Sequence, residues 1–421
     1  MAGTCWQVKA SVILLDEGLA AFEVYVISNP MRQPENQDYR FPSSDHSQFL
    51  ATLLTGAWRK SPPPLEFSAE QLIQIAPLLL GSGAGALGWN RIRKTHLRET
   101  PAAFELRQAY RLHTLQAAVQ EAQIQKVWSL LHAANIDPIL IKGWSNARYY
   151  AEKGLRPYGD LDLCIRPGQY HKACAVFDCP PSPDGCTVLS WESSLIELHR
   201  GLTDLDDPAD FTWPEVVGYA QAIDLGAVEV RVLSPEDHLR LVCLHFLRHG
   251  AWRPLWLCDI AALVESRTPD FDWQRCLGSN RRRADWVACA IGLAHQLLGL
   301  DVAATPVAKR AQHLPRWIVP AVLKAWQRPY GNDHQLDRPF ATVFRNPAQL
   351  PHILRARWLG PIEATVLLRK DFNDGPKLPW QFMSYGWRVS NLCQRTLHQI
   401  KSFKPPANTS PEARLSDKSD L

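Results

Sequence analysis

The chain has no long N-terminal apolar run, so neither a signal core nor a membrane span is expected there. Its longest N-terminal apolar run, Ala10 to Leu15, falls well short of the roughly 20 apolar residues that cross a bilayer. Charge of one sign is also scarce: the formal net charge is +4 over 421 residues, too little to imply nucleic-acid binding by itself. The charge is uneven, because residues 301–421 carry 18 Lys and Arg against 9 Asp and Glu, about +9, which leaves the remainder near −5. The ten cysteines (positions 5, 164, 174, 179, 186, 243, 258, 276, 289 and 393) include no C-x-x-C pair, so the paired-thiol spacing of zinc and dithiol motifs is missing. Cys164, Cys243 and Cys258 fall inside apolar runs, where cysteine acts as a small hydrophobe. With no secretory signal, this pattern implies a reducing cytoplasm. There is no internal repeat and no low-complexity tract.

What is present describes an ordinary globular chain, 46% hydrophobic and 21% charged, long enough for two or three domains. Sixteen tryptophans and 32 prolines point to many short elements and rigid turns. A short β element (Val12–Leu15 and Phe22–Ile27) precedes the polar stretch Asn29 to Asp38. Helical periodicity follows at 44–58 and 68–82, where Ser68 and Gln71 form a capping-box pattern. From Thr100 to Ala134 apolar residues recur at three- and four-residue spacing, as one long helix or two. A β-rich middle runs through Ile139–Ile141, Leu161–Ile165, Val188–Leu189, Leu195–Leu198 and Val228–Val232, with a helix at 168–177. Helices resume at Ser234-Pro-Glu-Asp237 and continue to 300, then at 315–327, 348–357 and 380–402. The expected division is an accessory segment 1–100, a core 101–233, a helical C-terminal domain 234–403 and a disordered tail 404–421.

The most informative segment is Gly154-Leu-Arg-Pro-Tyr-Gly-Asp-Leu-Asp-Leu-Cys-Ile165. A strand has a period of two, so Asp160 and Asp162 share one face while Leu161 and Leu163 point into a core. Two ionised carboxylates side by side repel unless a cation sits between them, so the pair suits a hard divalent metal. The bland alternative is a solvated strand start. Upstream, Ile139-Leu-Ile-Lys-Gly-Trp-Ser145 is an apolar strand entering a glycine turn and a helical stretch, an arrangement in which backbone N–H groups receive phosphate. A phosphoryl site needs a third acid, and Glu197 in Leu195-Ile-Glu-Leu-His199 alternates with apolar residues on a neighbouring predicted strand. Lys142 and Arg156 are cations bordering this site and candidate triphosphate contacts.

Other motifs read more plainly. His245 and His249 stand at i and i+4 with Asp259 ten residues on, but no glutamate completes a metalloprotease pattern, so helix packing is the expectation. Arg281-Arg-Arg283 reads as a solvated helix start. The aromatic and basic residues Trp380, Phe382, Tyr385, Trp387, Arg388, Arg395 and Lys401 fall at helical spacing and read as core packing ahead of docking on RNA or a membrane.

Ile141-Lys-Gly143, Tyr150 to Ile165 and Ile196-Glu-Leu-His199, with Leu233 to Leu239, His245, Asp259 and Arg357 to Ile362, resemble the uncharacterised nucleotidyltransferase family of the DNA polymerase beta-like superfamily. The similarity covers roughly residues 105–400. The resemblance implies an α+β fold: a polymerase-beta-like mixed sheet flanked by helices, with a helical C-terminal domain closing a cleft. It implies transfer of a nucleoside monophosphate from an NTP to an acceptor hydroxyl or similar group, with Mg²⁺ or Mn²⁺. Asp160, Asp162 and Glu197 would be the metal-holding acids, Glu197 also drawing a proton from the acceptor, and Gly143 and Ser145 would cradle phosphate. The superfamily follows its glycine directly with serine or glycine, whereas Trp144 intervenes here. That departure motivates a second reading, a nucleotide-binding module without turnover. The small net charge favours a small molecule or peptide as acceptor over RNA, while the basic C-terminal third argues the other way.

Overall fold

The computed structural model describes residues 10–13 and 21–24 as backbone, and residues 44–192, 194–202, 212–327, 359–387 and 390. The expected helix at 348–357, the end of the expected helix at 380–402 and the tail 404–421 lie outside the described residues. Strands β1 (Ala10–Ile13) and β2 (Ala21–Val24) form an antiparallel pair. Helix α1 (Ser44–Leu54) leads to α2 (Ala69–Gly81), whose capping box forms as the sequence suggested: Gln71 N donates to Ser68 Oγ and Ser68 N to Gln71 Oε1. A short helix α3 (Gly85–Ile92), not expected from sequence, precedes α4 (Pro101–Ala133). Helix α4 is one unbroken rod of 33 residues, started by Thr100 as N-cap and a proline in its first turn.

The sheet begins with β3 (Ile139–Leu140), followed by the one-turn helix α5 (Trp144–Ala147) and β4 (Asp160–Ile165). Helix α6 (Tyr170–Val176) crosses to β5 (Cys186–Trp191) and β6 (Ser194–Arg200). After α7 (Trp213–Tyr219) the hairpin β7 (Gln221–Leu225) and β8 (Val228–Val232) completes a six-stranded mixed sheet of order β5-β6-β4-β3-β8-β7. Pairing is parallel at β6/β4 and β3/β8 and antiparallel at β5/β6, β4/β3 and β8/β7.

Two apolar cores flank this sheet. One packs Leu161, Leu163, Ile196 and Leu198 against Ile124, Val127, Trp128 and Leu131 of α4 and Tyr170 and Ala173 of α6. Those four strand residues contribute about 1.5–3 kcal/mol each on full burial. Their sum outweighs the repulsion of two carboxylates on the opposite face, about 1–4 kcal/mol at 4 Å for an effective dielectric of 80 to 20. The strand can therefore tolerate acids on its other side.

The second core is helical. It joins α1–α3 and the start of α4 to α8 (Pro235–Arg248), α9 (Pro254–Glu265), α10 (Trp273–Leu277), α11 (Arg281–Leu298), α12 (Ala308–Gln312) and α13 (Ile318–Trp326). Residues from Leu50 to Leu106 and from Leu233 to Trp326 are members of the same cluster. The link is polar as well as apolar, because Trp58 and Arg59 both bond to Glu265 and Arg253 Nε donates to the Ser82 carbonyl at 2.9 Å. Residues 44–100, expected as an accessory segment, thus share a core with the helical part that follows the sheet. The sequence separates them by more than a hundred residues and carries no local sign of the pairing.

Candidate active site

The acid strand sits where its two neighbours can complete it. In the parallel β4/β6 pair, Asp160 lies in register with Leu195 and Asp162 with Glu197, and β5 places Cys186 opposite His199. Period-two alternation then puts Asp160, Asp162, Glu197, His199 and Cys186 on one face, with Leu161, Leu163, Ile196 and Leu198 buried on the other. The carboxylate of Asp162 is 3% exposed. It accepts from Lys142 Nζ at 2.7 Å and from His199 Nε2 at 3.3 Å, and His199 Nε2 also lies 3.4 Å from Glu197 Oε2.

The electrostatics follow from this crowding. Burial, then the neighbouring Asp162 and Glu197 charges, push the Asp160 carboxyl above its ordinary range, with Arg156 pulling the other way. Burial would also raise Asp162, but the Lys142 ammonium and the His199 imidazole overcome it and hold that carboxyl far below the usual range. His199 responds reciprocally: burial lowers it, yet its hydrogen bonds to Asp162, Cys186 and Glu197 raise it to about 11. The folded chain therefore sets the Lys142 ammonium and the His199 ring against the buried Asp162 carboxylate.

Asp160, Asp162 and Glu197 share one face of the sheet, and carboxylates are the donors a hard divalent cation takes; Lys142 and His199 supply positive charge beside Asp162. The residues fit Mg²⁺ or Mn²⁺. Among the described residues Cys186, Glu197 and His199 also bring one ligand atom each within 4.8 Å of one another. A metal there would take neutral imidazole and release its proton, which Asp162 and Glu197 favour on His199 while no ion is bound.

The glycine turn meets the acid strand directly. Gly143 has φ +58°, and a Cβ there would stand 3.2 Å from the Asp160 carbonyl oxygen. Ile141 N donates to the Asp162 carbonyl at 3.1 Å. Two expected phosphate contacts have other partners. The Ser145 hydroxyl is buried and donates to the Leu140 carbonyl at 2.8 Å. Arg156 is buried in a bidentate pair with Asp259, Nε–Oδ1 3.2 Å and Nη2–Oδ2 2.8 Å. Trp144, the departure from the superfamily pattern, is buried, with its indole N–H on Glu121 at 3.3 Å.

Sequence reasoning missed the role of Asp259. Its carboxylate is 1% exposed and accepts from Arg156, from Tyr150 Oη at 2.7 Å and from Asn146 Nδ2 at 3.0 Å. The Asn146 oxygen in turn faces His238 Nε2 at 2.5 Å. This network ties α5 and the segment before β4 to α8 and α9, and it removes Asp259 from any metal site with His245. The His245 ring packs on His249 and Trp256, at centroid distances of 4.4 and 4.7 Å. Val188 and Leu195, 56% and 41% exposed, are apolar side chains in register with Glu197 and Asp160. An exposed leucine on a predicted strand gives no such signal by itself.

A family profile described as "Uncharacterised nucleotidyltransferase" matches residues 82–299, just over half of the chain. The chain belongs to this family. The match spans the glycine turn, the acid strand, Glu197 and Asp259, so the constellation above is the family's region of this protein. A solved structure, an antigenic nucleotidyltransferase-like protein from Paracoccidioides brasiliensis, is 14% identical over 45% of this chain and 96% of its own, with a TM-score of 0.32. A likeness that loose does not bear on chemistry. No curated protein matches the chain. No helix among the described residues is long and apolar enough to cross a membrane.

Proposed function

We propose that this nucleotidyltransferase-family protein transfers a nucleoside monophosphate from an NTP to an acceptor hydroxyl, using Asp160, Asp162 and Glu197. The observation that carries the reading is the register of β4 on β6, which gathers three carboxylates on one face while apolar residues fill the other. Bound Mg²⁺ or Mn²⁺ held by these acids would neutralise the triphosphate and polarise its phosphorus. In the reaction the acceptor oxygen bonds to the α-phosphorus, the bond to the β-bridging oxygen breaks, and pyrophosphate leaves with the electron pair. The acceptor proton passes to a carboxylate, the role given to Glu197, which lies in register with Asp162 and is a quarter exposed. Lys142 is placed to exchange Asp162 for phosphate oxygens, a point-charge contact its flexible stem allows. Gly143 lets the turn approach the Asp160 backbone, and the exposed Val188 and Leu195 offer an apolar patch beside the acids. Arg156 acts through Asp259 and through its field on Asp160.

The test is Asp160→Asn and Asp162→Asn, assayed for pyrophosphate release with each NTP, Mg²⁺ or Mn²⁺ and fractionated acceptor pools. Transfer is expected to vanish in both. Asp160→Asn should also leave the melting temperature unchanged or higher, since it removes a repelled carboxylate. Full transfer activity in either variant would sink the assignment. Tight NTP binding without pyrophosphate release by the unmodified protein would instead favour the binding-module reading.

A further inference from the structure

On the outer side of α3 and α4 a surface cavity of about 600 Å³ is lined by Trp89, Arg93, Lys94, Arg107, Tyr110, Arg111 and Glu152. Four cations face one acid. That acid is already committed: Arg93 holds Glu152 at 2.9 and 2.6 Å, and Tyr110 Oη donates to it at 3.0 Å. Lys94 adds its field to Glu152, and among the described residues no acid pairs with Arg107 or Arg111. Arg93, although paired, keeps its buried Nε without an acceptor. The Arg107 guanidinium lies over the Trp89 indole, 5.7 Å from the ring centre.

A solvated helix face would scatter such charges on convex surface. Here they ring a concavity with two aromatic side chains in its wall, on a floor fixed by the Arg93–Glu152–Tyr110 bonds. Clustered cations with flat rings are the chemistry of single-stranded nucleic acid, in which phosphates take the cations and bases stack. The cavity also has a direction. Helix α4 continues from Tyr110 to Gln120, about 15 Å along its axis, where Gln120 Nε2 donates to the Gly159 carbonyl beside Asp160. We propose that this cavity binds a nucleotide unit of a single-stranded acceptor, whose end runs along α4 toward the acid pair. The low overall charge pointed to a small acceptor, but it averages over acidic regions elsewhere, and the local surplus is what a strand meets. The proposal rests on the acid-pair reading only for the direction of the strand; the binding stands independently.

The test is fluorescence anisotropy of short labelled oligo(A) and oligo(U) with the full chain, between about 50 and 200 mM salt. Both oligomers should bind, with a steep loss on adding salt. Arg107→Ala with Arg111→Ala, both exposed, should weaken binding about tenfold or more and lower the salt slope by about 1.4, two phosphate contacts at 0.7 each. Trp89→Leu should weaken it by about tenfold through lost stacking. The same measurements in Asp160→Asn should match the unmodified protein, so failure of transfer and failure of strand binding are told apart. The proposal is overturned by absence of oligomer binding at low salt or by unchanged binding in the double arginine variant. Displacement by AMP or oligoglutamate as effective as by unlabelled oligomer overturns it too, because the site would then take a mononucleotide or any polyanion.

Discussion

Asp259→Asn isolates the link between the helical core and the acid strand. The substitution keeps the shape of the side chain but replaces a buried carboxylate that accepts four hydrogen bonds. An amide has one oxygen and one donor nitrogen: with the nitrogen in place of Oδ2, Arg156 Nη2 and Asn146 Nδ2 both face a donor, and with it in place of Oδ1, Arg156 Nε and Tyr150 Oη do. Arg156 cannot escape by deprotonation, because a guanidinium stays charged in proteins. Its head group is 8% exposed and would be left without a counter-charge. Breaking a buried pair this way costs about 3–5 kcal/mol; at about 2 °C per kcal/mol for a chain of this size, that is roughly 6–10 °C in Tm. Urea unfolding followed by far-UV circular dichroism measures the loss. A cycle with Arg156→Met tests its origin: the double variant should fall short of the sum of the singles by about 2–3 kcal/mol, since the second change removes the stranded charge. Below its Tm, Asp259→Asn should also lose nucleotidyl transfer, because Arg156 stands four residues before Asp160 on the same segment. A loss under about 1 kcal/mol, or strict additivity in the cycle, would refute the view that Asp259 anchors the site.

Three further outcomes follow from the same geometry. Gly154 has φ +86°, and a Cβ there would meet the Thr114 backbone N and Cα at 2.8 and 2.9 Å, so Gly154→Ala should cost about 2–5 kcal/mol from backbone conformation and overpacking together, read by thermal unfolding; a neutral result would mean that the loop does not press on α4. Burial holds His238 down at about 3, against 6.5 when exposed, so the unfolded chain takes up this proton first: the group's contribution is whole above pH 6.5 and drains away as pH falls from 6.5 to 3. Lowering the pH from 7 to 4.5 should therefore remove about 2.7 kcal/mol that His238→Gln does not lose, and equal acid slopes for both proteins would contradict the assignment. Removing residues 1–100 should abolish cooperative unfolding, because α1–α3 fill the core shared with α9, α11 and α13; a truncated protein with a sharp calorimetric transition would show that the two helical sets fold separately.

How much of this the sequence reveals depends on the range of the physics involved. The acid pair, the buried Leu161 and Leu163 and the strand position of Glu197 are consequences of a two-residue period, which any short stretch displays. The capping box at Ser68 and the N-cap at Ser234 are equally local and form as expected. The hairpin partner β7 was missed because Gln221-Ala-Ile-Asp-Leu225 is a half-exposed edge with little apolar alternation. The partners chosen by Arg156 and Ser145 are a different matter. Both residues have types that suit phosphate; Ser145 instead takes the backbone carbonyl of Leu140, which no side-chain pattern announces, and Arg156 passes over the nearby acids for a distant one. Asp259 lies 103 residues from Arg156, inside an apolar helical run whose own pattern advertises only a core. A buried arginine must find an acid wherever the fold supplies one, so the sequence limits what Arg156 could do while tertiary contact decides it. The same reasoning explains why the acid face was easier to place than the nucleotide loop. Carboxylates on a strand keep their orientation whatever else packs nearby, whereas a loop cation goes to the nearest strong partner. For Lys142 that partner is Asp162, 2.7 Å away, so the cation of the glycine turn sits at the acid pair.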